Sequence, residues 1–362
     1  MSSTFAENYI PHDSADWNNA KRILIFQCKQ LGDALLLTPV VQWLHKKYPQ
    51  IVIDVVCKPS SSPIFSSRPN VESVFELQPT TLNLVNLFRI ELKRNQYDMF
   101  LDFHGSRESI LLAFLTKAGV RCTSSPAKPK LLNKIWTHCL PNPPLKRHAA
   151  EKNLDVLRRL GMNCGEIVPP SVEFAVQSVS EGENLLPDSD TALIVVHPVA
   201  NWMFKTPSVN FWTALLHRLV KMVDGTIVVT GGSAPLEIQF CKEIEEAMPG
   251  DLLNLCGQTT ITQLGSIIDR ANFYIGIDTF ASHIAAGCGV NGVVFFGPTC
   301  ESTWGPYQVT KTLDVITNPN WHCRPCHLDG CGGGKKSECL NFRLQQDAII
   351  DRVLSYVRRS LD

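Results

Sequence analysis

The sequence predicts an α/β protein of two domains, each built on a parallel sheet covered by helices. The chain has 362 residues, a length that suits two α/β domains better than one. Near-continuous apolar runs alternate with amphipathic stretches in both halves, and such runs are typical of strands buried on both faces. A polar, proline-containing segment, residues 176–190, interrupts the alternation and indicates an interdomain linker.

The first domain is predicted over residues 21–175, after an N-terminal extension of residues 1–20. Its strand-like apolar runs are Arg22–Gln27, Ile51–Cys57 and Tyr97–Phe103. Helices are predicted between and after them, at Leu35–Lys47, Leu82–Arg94 and His148–Leu160. The last helix is predicted to end at Gly161, because glycine readily adopts the left-handed conformation that terminates helices.

The second domain is predicted over residues 191–344, followed by a C-terminal helix within residues 345–362. Its strand-like runs are Ala192–His197, Gly225–Thr230, Phe273–Ile277 and Gly292–Phe296. Ligands of open α/β sheets bind beyond the carboxyl ends of the strands. Two such domains in succession therefore predict a cleft between them, lined by the loops that follow the strands.

The composition disfavours membrane-spanning and secreted classes. No apolar run reaches the roughly 18–20 residues that span a bilayer. The first twenty residues hold Asp13 and Asp16 and no Lys or Arg, unlike a signal peptide. We therefore expect a cytoplasmic protein. Nine of its 13 cysteines are scattered through apolar segments and are predicted to be free, buried thiols.

A net charge of zero conceals an uneven distribution of charge. Residues 1–175 carry 21 Lys and Arg against 15 Asp and Glu, whereas the remainder carries 13 against 19. Residues 109–150 hold seven basic residues and no acidic one. A run of this kind is either an ordinary solvated surface or a surface that attracts anions such as phosphates.

Two polar motifs directly follow apolar strands. Asp33, in the sequence QLGD after the first strand, is either a helix cap or a functional carboxylate. Asp278 and Thr279 stand where a helix begins after Phe273–Ile277, and free N–H groups at a helix start bind anions. His283 follows one turn later, and an ordinary cap with a satisfied histidine is the alternative interpretation.

Two further motifs lie in the second domain. Lys205 follows His197-Pro198 and has the charge to reach a phosphate, although many such lysines are merely solvated. The sequence TGGSAPLE, residues 230–237, allows close approach of backbone to a ligand, with Glu237 placed to grip ribose hydroxyls. The chain lacks GxGxxG and GxxxxGK[ST], which disfavours hydride transfer and P-loop phosphoryl transfer.

Together these motifs carry a family resemblance. The segments are LGDALLLTPVVQWLHKKYP from residue 31, HP followed by Lys205, TGGSAPLE from residue 230, and GIDTFASHIAAGCGVNGVVFFGPTCESTWGPY from residue 276. In this order the chain resembles glycosyltransferase family 9, which contains the lipopolysaccharide core heptosyltransferases. The resemblance extends from about Lys21 to Arg359. Phe280 departs from the glycine that the family often has after Asp-Thr.

The resemblance implies the GT-B architecture, in which two Rossmann-like domains face each other across a cleft. It implies an inverting transfer of heptose from ADP-heptose to the phosphorylated inner core of lipopolysaccharide, without a divalent cation or other required cofactor. The donor would bind the C-terminal domain and the lipid-linked acceptor the N-terminal domain. The enzyme would then act at the inner face of the inner membrane, as a peripheral protein.

The resemblance also assigns roles to residues. Asp33 matches the general base, and Glu237 matches a residue near the ribose. The positions that match residues holding the donor diphosphate and sugar are Lys205, Asp278, Thr279 and His283. Acceptor-side contacts are expected from the first domain's basic residues, namely Arg107, Lys128 and Lys130.

A cysteine cluster lies near the C-terminus, in the glycine-rich segment 322–340. Its members are Cys323, Cys326, Cys331 and Cys339. CxxC followed by two further cysteines suits a tetrahedral structural zinc site, with His322 and His327 as substitute ligands. An iron–sulfur cluster, two local disulfides and packed free thiols are the alternatives. Similar tails occur in family members that resemble heptosyltransferase III.

Two rival functions are compatible with the sequence. Sugar-nucleotide 2-epimerases share a GT-B-like layout and a diphosphate site, but need no basic acceptor surface. The other rival is a non-catalytic protein that binds anionic surfaces through residues 109–150. Nucleic acid is disfavoured as its ligand, because the net charge is zero and that stretch lacks interleaved aromatic residues.

Overall fold

The computed structural model divides into two compact units, Met1–Glu173 and Phe174–Asp362. This division lies two residues before the predicted end of the first domain. The structure describes residues 15–78, 83, 86–87, 92, 95–125, 134–140, 146–166, 168–171, 176–188, 191–318, 321–342 and 345–362. Each unit is built on one parallel sheet.

The first unit contains a six-stranded sheet in the order β3-β2-β1-β4-β5-β6, with every pair parallel. This is the strand order of a dinucleotide-binding Rossmann fold, whose switch point lies between β1 and β4. The strands are β1 (Arg22–Gln27), β2 (Val52–Cys57), β3 (Val71–Glu76), β4 (Met99–Asp102), β5 (Val120–Thr123) and β6 (His138–Cys139). The described helices are α1 (Leu31–Leu35), α2 (Thr38–Lys47), α3 (Ser62–Phe65), α4 (Arg107–Thr116) and α5 (Ala149–Arg159).

The elements of the first unit follow the apolar runs closely. Strand β1 spans the predicted residues, and all but its first residue are buried. The helix predicted over Leu35–Lys47 begins three residues later, as α2, and the short helix α1 precedes it. Pro39 stands in the first turn of α2, where a missing N–H costs no hydrogen bond, so a new helix begins there. The helix predicted over Leu82–Arg94 lies mostly outside the described residues.

The second unit repeats the same architecture. Its six-stranded parallel sheet has the order β12-β11-β10-β7-β8-β9, with the switch point between β7 and β10. The strands are β7 (Ala192–His197), β8 (Gly225–Val229), β9 (Leu253–Asn254), β10 (Phe273–Ile277), β11 (Gly292–Phe296) and β12 (Leu313–Thr317). The helices are α6 (Val176–Glu183), α7 (Val209–Val220), α8 (Pro235–Glu246), α9 (Ile261–Asp269), α10 (Phe280–Cys288), α11 (Glu301–Trp304) and α12 (Gln346–Leu361). The predicted α/β class with two Rossmann-like domains is confirmed.

One predicted linker contains regular structure. Helix α6 lies inside residues 176–190, the polar segment that the sequence marks as a linker. It packs against α9, and a Cβ added to Gly182 would lie only 2.1 Å from Ser266 Oγ. The glycine therefore permits a close helix contact that the polarity of the segment does not reveal.

An aromatic cluster anchors the core of the second unit. Phe211 on α7 packs against Phe295 on β11 and against Phe342, with ring centroids 5.2 and 5.0 Å apart. The C-terminal helix α12 adds its apolar face to this core through Ile350 and Val353, among others. None of the described helices is long and apolar enough to cross a membrane.

Candidate active site

The switch point of the first sheet presents a carboxylate on a short helix. Asp33 lies in the first turn of α1, directly after β1, and is partly exposed. The N-cap of α1 is Gln30, without a side-chain capping bond. Among the described residues the Asp33 carboxylate has no hydrogen-bond or ion-pair partner. The capping alternative does not hold, and the group is available for chemistry.

A second loop reaches the same switch point from β4. Asp102, fully buried, accepts hydrogen bonds from the backbone N–H groups of His104 at 2.9 Å and Gly105 at 3.1 Å. The Thr123 hydroxyl donates a third at 2.8 Å. Burial raises the pKa of Asp102, and these hydrogen bonds oppose the rise. Gly105, with φ of +73°, completes the turn.

This loop places Arg107 at the start of a capped helix. Ser106 and Ser109 form a capping box at the start of α4. Arg107 is the first helical residue and is exposed, and it makes no ion pair with a described residue. Its charge is therefore free to meet an anion, as the predicted acceptor role requires.

His104, between Asp102 and Arg107, is a polar residue at this site that the sequence motifs did not predict. Its ring stacks on Phe26 of β1, with centroids 5.8 Å apart. Burial lowers the pKa of His104, and Nδ1 has no hydrogen-bond partner among the described residues. The signal available in the sequence was a polar residue directly after the apolar run that forms β4.

The basic stretch of the first unit is only partly available to ligands. Arg147 pairs with Asp155 at 2.6 Å and with Glu151 at 3.1 Å on α5, and Arg121 donates to the Ile135 carbonyl at 2.7 Å. These acids lie just beyond the acid-free stretch. The exposed cations are Lys117, Lys134 and Lys146. The predicted acceptor residues Lys128 and Lys130 lie outside the described residues.

Polar side chains that follow β7 and β11 meet at the Asp278 carboxylate, which follows β10. Lys205, in the 3₁₀ turn that follows β7, places Nζ 2.7 Å from Asp278 Oδ2. Thr299, beyond β11, donates its hydroxyl to the same oxygen at 2.6 Å. The Asp278 side chain is only 5% exposed and that of Lys205 19%. The structure thus brings together Lys205 and Asp278, two of the predicted donor residues, and adds Thr299.

Thr279, where an anion site is predicted, lies at the start of helix α10. Thr279 is the N-cap of α10 but makes no side-chain capping bond, and its buried hydroxyl lies beside that of Tyr274. The N–H groups of the first turn of α10 therefore lack a side-chain cap. His283 is buried on the next turn of the same helix. The Phe280 ring, which departs from the family pattern, packs edge-on against His197.

A buried, neutral histidine packs against the first residue of α10. His197 is the last residue of β7 and is fully buried; its Nδ1 lies 2.9 Å from Thr230 Oγ1. Burial lowers the pKa of His197 to about 4. Its Nε2 is buried without a partner among the described residues.

His197 is expected to make the fold sensitive to acid. Its pKa is about 4 in the folded protein, against about 6.5 in an unfolded chain, so the unfolded chain binds more protons between these values. Stability therefore falls as the pH drops through this window, by about 2 kcal/mol between pH 7.5 and 5. In urea unfolding, the free energy of unfolding of His197→Gln should fall between pH 7.5 and 5 by this amount less than that of the wild type. The control His217→Gln, at an exposed histidine, should match the wild type; equal pH slopes in all three proteins would contradict the prediction.

The Glu237 carboxylate is hydrogen-bonded to the backbone of the loop that precedes α8. It is the third residue of α8, and its carboxylate accepts hydrogen bonds from the N–H groups of Gly232 and Ala234. Burial raises the pKa of Glu237. A Cβ on Gly232 would lie 2.5 Å from Glu237 Oε2, so the glycine permits this close packing. The predicted contact with ribose stays a prediction.

The zinc site predicted at the four-cysteine segment stays a prediction. Cys323 and Cys331 are exposed, whereas Cys339 is buried in the hydrophobic core of the second unit. No group of three or more His, Cys, Asp or Glu side chains in the described part of the chain is placed to hold a metal ion. The thiol of Cys326 is half-buried, and all thirteen cysteines are free. Burial raises the pKa of the Cys339 thiol, and Cys323, Cys326 and Cys331 lie near enough to raise it further.

Solved structures with the same fold are glycosyltransferases. A family 9 glycosyltransferase from Veillonella parvula superposes with a TM-score of 0.79 at 19% identity, covering 97% of this chain and 99% of that one. The ADP-heptose lipopolysaccharide heptosyltransferase II of E. coli superposes with a TM-score of 0.76 at 17% identity, covering 94% of this chain and all of that one. These likenesses establish the GT-B fold class.

The sequence identifies the family directly. The family model of glycosyltransferase family 9 (heptosyltransferase) matches residues 85–333, and the chain belongs to this family. Lipopolysaccharide heptosyltransferase 3 of Escherichia coli is 25% identical over 288 residues, which cover 76% of this chain and 84% of that protein. The protein is therefore a glycosyltransferase, as its motifs predict.

Proposed function

We propose that the protein transfers heptose from ADP-heptose to the phosphorylated inner core of lipopolysaccharide, with inversion at the anomeric carbon and without a divalent cation. The relatives' names support the substrates: one is an ADP-heptose lipopolysaccharide heptosyltransferase and another a lipopolysaccharide heptosyltransferase 3. The observation that carries the proposal is the Lys205–Asp278 pair beside the start of α10, at the switch point of the second sheet.

The donor half of the reaction requires positive charge on the departing ADP. The Lys205 ammonium and the N–H groups at the start of α10 supply this charge, and Asp278 orients the ammonium. The Thr279 hydroxyl, at the N-cap of α10, donates to a phosphate oxygen. Because Lys205 and the helix start stabilise the diphosphate directly, no step of this reaction needs a metal ion.

The acceptor half requires a base and a surface for anions. Asp33 accepts the proton of the acceptor hydroxyl as that oxygen attacks the anomeric carbon from the face opposite ADP, which inverts the configuration. Arg107, exposed and free of ion pairs with described residues, contacts a core phosphate. The exposed lysines of residues 109–150 extend this surface to the membrane. The enzyme thus works in the cytoplasm as a peripheral protein of the inner membrane.

Mass spectrometry of the products tests the proposal. ADP-heptose is incubated with truncated core acceptors, with and without EDTA, and the anomeric configuration of the product is read by NMR. We expect one added heptose of inverted configuration, at a rate that EDTA does not change. An anomer of retained configuration, or loss of activity in EDTA, would refute those parts of the proposal.

Two control reactions separate the rival functions. Release of an altered sugar nucleotide from donor alone would identify an epimerase instead. Binding to anionic vesicles without any affinity for ADP would identify a non-catalytic surface protein. We expect neither result, because Asp33 and Lys205 supply the base and the phosphate charge of a transferase.

A further inference from the structure

The cysteine-rich segment 322–340 is hydrogen-bonded to the loop that follows β11. Arg324 donates from Nε to the Gly297 carbonyl at 2.5 Å and from Nη2 to Glu301 Oε2 at 3.1 Å. Its Nη2 also lies 3.5 Å from the Thr299 carbonyl. The backbone N–H of His327 donates to the Pro298 carbonyl at 2.9 Å. Three consecutive carbonyl groups, those of residues 297–299, are thus held by this one segment.

Packing adds to these hydrogen bonds. The Arg324 side chain is only 8% exposed, so its guanidinium group depends on these acceptors rather than on water. Leu340 packs on Gly297 so closely that an added Cβ would lie 2.7 Å from Leu340 Cδ1. The loop is therefore held both by the hydrogen bonds of the Arg324 guanidinium group and by the apolar contact with Leu340.

The same loop carries a hydroxyl of the donor site. Thr299 donates its hydroxyl to Asp278 Oδ2 at 2.6 Å, and Asp278 pairs with Lys205 at 2.7 Å. An unbroken series of direct contacts therefore runs from Arg324 through the Thr299 backbone and side chain to the Asp278 carboxylate and the Lys205 ammonium. All of these residues belong to the second unit.

We propose that the cysteine-rich segment is a positioning clamp for the donor site and that Arg324 is its positioning residue. Arg324 fixes the loop 297–299, Thr299 fixes the Asp278 carboxylate, and Asp278 fixes the Lys205 ammonium where the diphosphate binds. This inference depends on the proposed function, since it assigns the effect to donor binding. Arg324 itself contacts neither the donor nor the reacting atoms.

The geometry explains why an arginine stands at this position. A guanidinium group presents several N–H donors in a rigid plane and bonds a carbonyl and a carboxylate at once. A lysine ammonium is a point charge on a flexible stem and cannot hold the same spread of acceptors. Arg324→Lys should therefore retain the charge but lose most of the positioning.

Steady-state kinetics and ADP calorimetry test the clamp. In Arg324→Gln we expect the Kd for ADP and the KM for ADP-heptose to rise by about 10- to 100-fold, because small displacements of positioning groups carry large penalties. The KM for the acceptor should stay within about two-fold of the wild type. The matched control is Lys335→Gln in the same segment, whose pair with Asp329 is exposed; it should behave as wild type.

A second pair of variants separates positioning from folding. Thr299→Val removes the hydroxyl at nearly constant volume and should weaken ADP binding as Arg324→Gln does, whereas Thr299→Ser should restore it. If Arg324→Gln does not fold, this pair still decides the question. In the double variant Arg324→Gln/Thr299→Val the losses should be less than additive, since both residues act on one carboxylate.

Three results would overturn the proposal that the cysteine-rich segment positions the donor site. It is rejected if folded Arg324→Gln has the wild-type Kd for ADP and the wild-type KM for ADP-heptose. It is also rejected if the losses in the double variant are fully additive, or if Thr299→Val binds ADP as tightly as the wild type. The underlying function has a separate criterion. If the wild type neither binds ADP nor consumes ADP-heptose, the proposed function fails; if the wild type is active and only the variants are normal, the clamp alone fails.

Discussion

Asp33→Asn is expected to lower kcat for heptose transfer by about 10²–10⁴-fold while leaving ADP affinity unchanged. Asparagine has nearly the same size as aspartate but cannot accept the proton of the attacking hydroxyl. The Asp33 carboxylate has no hydrogen bond or ion pair with another described residue, so its replacement breaks no such bond within the described part of the chain. Loss of activity would then report chemistry rather than structure.

The measurement combines turnover at saturating substrates with calorimetry of ADP binding. Glu166→Gln is the matched control, because Glu166 is an exposed carboxylate of the same unit whose only described ion pair is with Lys46. It should retain wild-type kcat. A fully active Asp33→Asn variant would show that another group removes the proton, and a loss of ADP binding would show that Asp33 acts on the donor instead.

Lys205→Met is expected to lower kcat/KM for ADP-heptose by about 10²–10³-fold, because the departing diphosphate loses its cation. The same change removes the partner of a buried carboxylate. The Asp278 side chain is 5% exposed, and an unpaired charge at such a site costs about 3 kcal/mol of unfolding free energy. Lower stability alone would therefore be an ambiguous result.

The double variant Lys205→Met/Asp278→Asn separates the two effects. It removes the buried charge together with its partner, so urea unfolding should return towards the wild-type free energy, whereas the loss of kcat/KM should persist. Lys242→Met, in an exposed pair with Glu246 on α8, is the control for charge loss alone. Recovery of catalysis in the double variant would show that Lys205 only neutralises Asp278 and does not serve the diphosphate.

Much of the fold could be predicted because local pattern and tertiary structure agree. Strands β1, β7, β10 and β11 match their predicted runs residue for residue, since each is an apolar run buried on both faces and bounded by polar or glycine residues. The start of α2 was predicted too early because the apolar, buried residues 35–37 run directly into it, and helix α6 was missed because its sequence is polar.

The site was predictable only where a motif adjoins a strand end. Lys205, Asp278 and Thr279 follow β7 and β10, and a parallel sheet brings the ends of neighbouring strands together. Thr299 and Arg324 take their roles from contacts with residues 21 to 27 positions away, which no local pattern specifies. The spacing of the four cysteines likewise did not indicate that Cys339 packs into the core of the second unit, and the metal site stays a prediction.

The repeated strand order has an evolutionary consequence. Each sheet has its own switch point, and the hydrogen bonds that shape each polar site come from residues of the same unit. Substitutions in the loops after β1 and β4 leave the network around Asp278 intact, and the reverse also holds. Selection can therefore change the polar loops of one unit while those of the other stay constant.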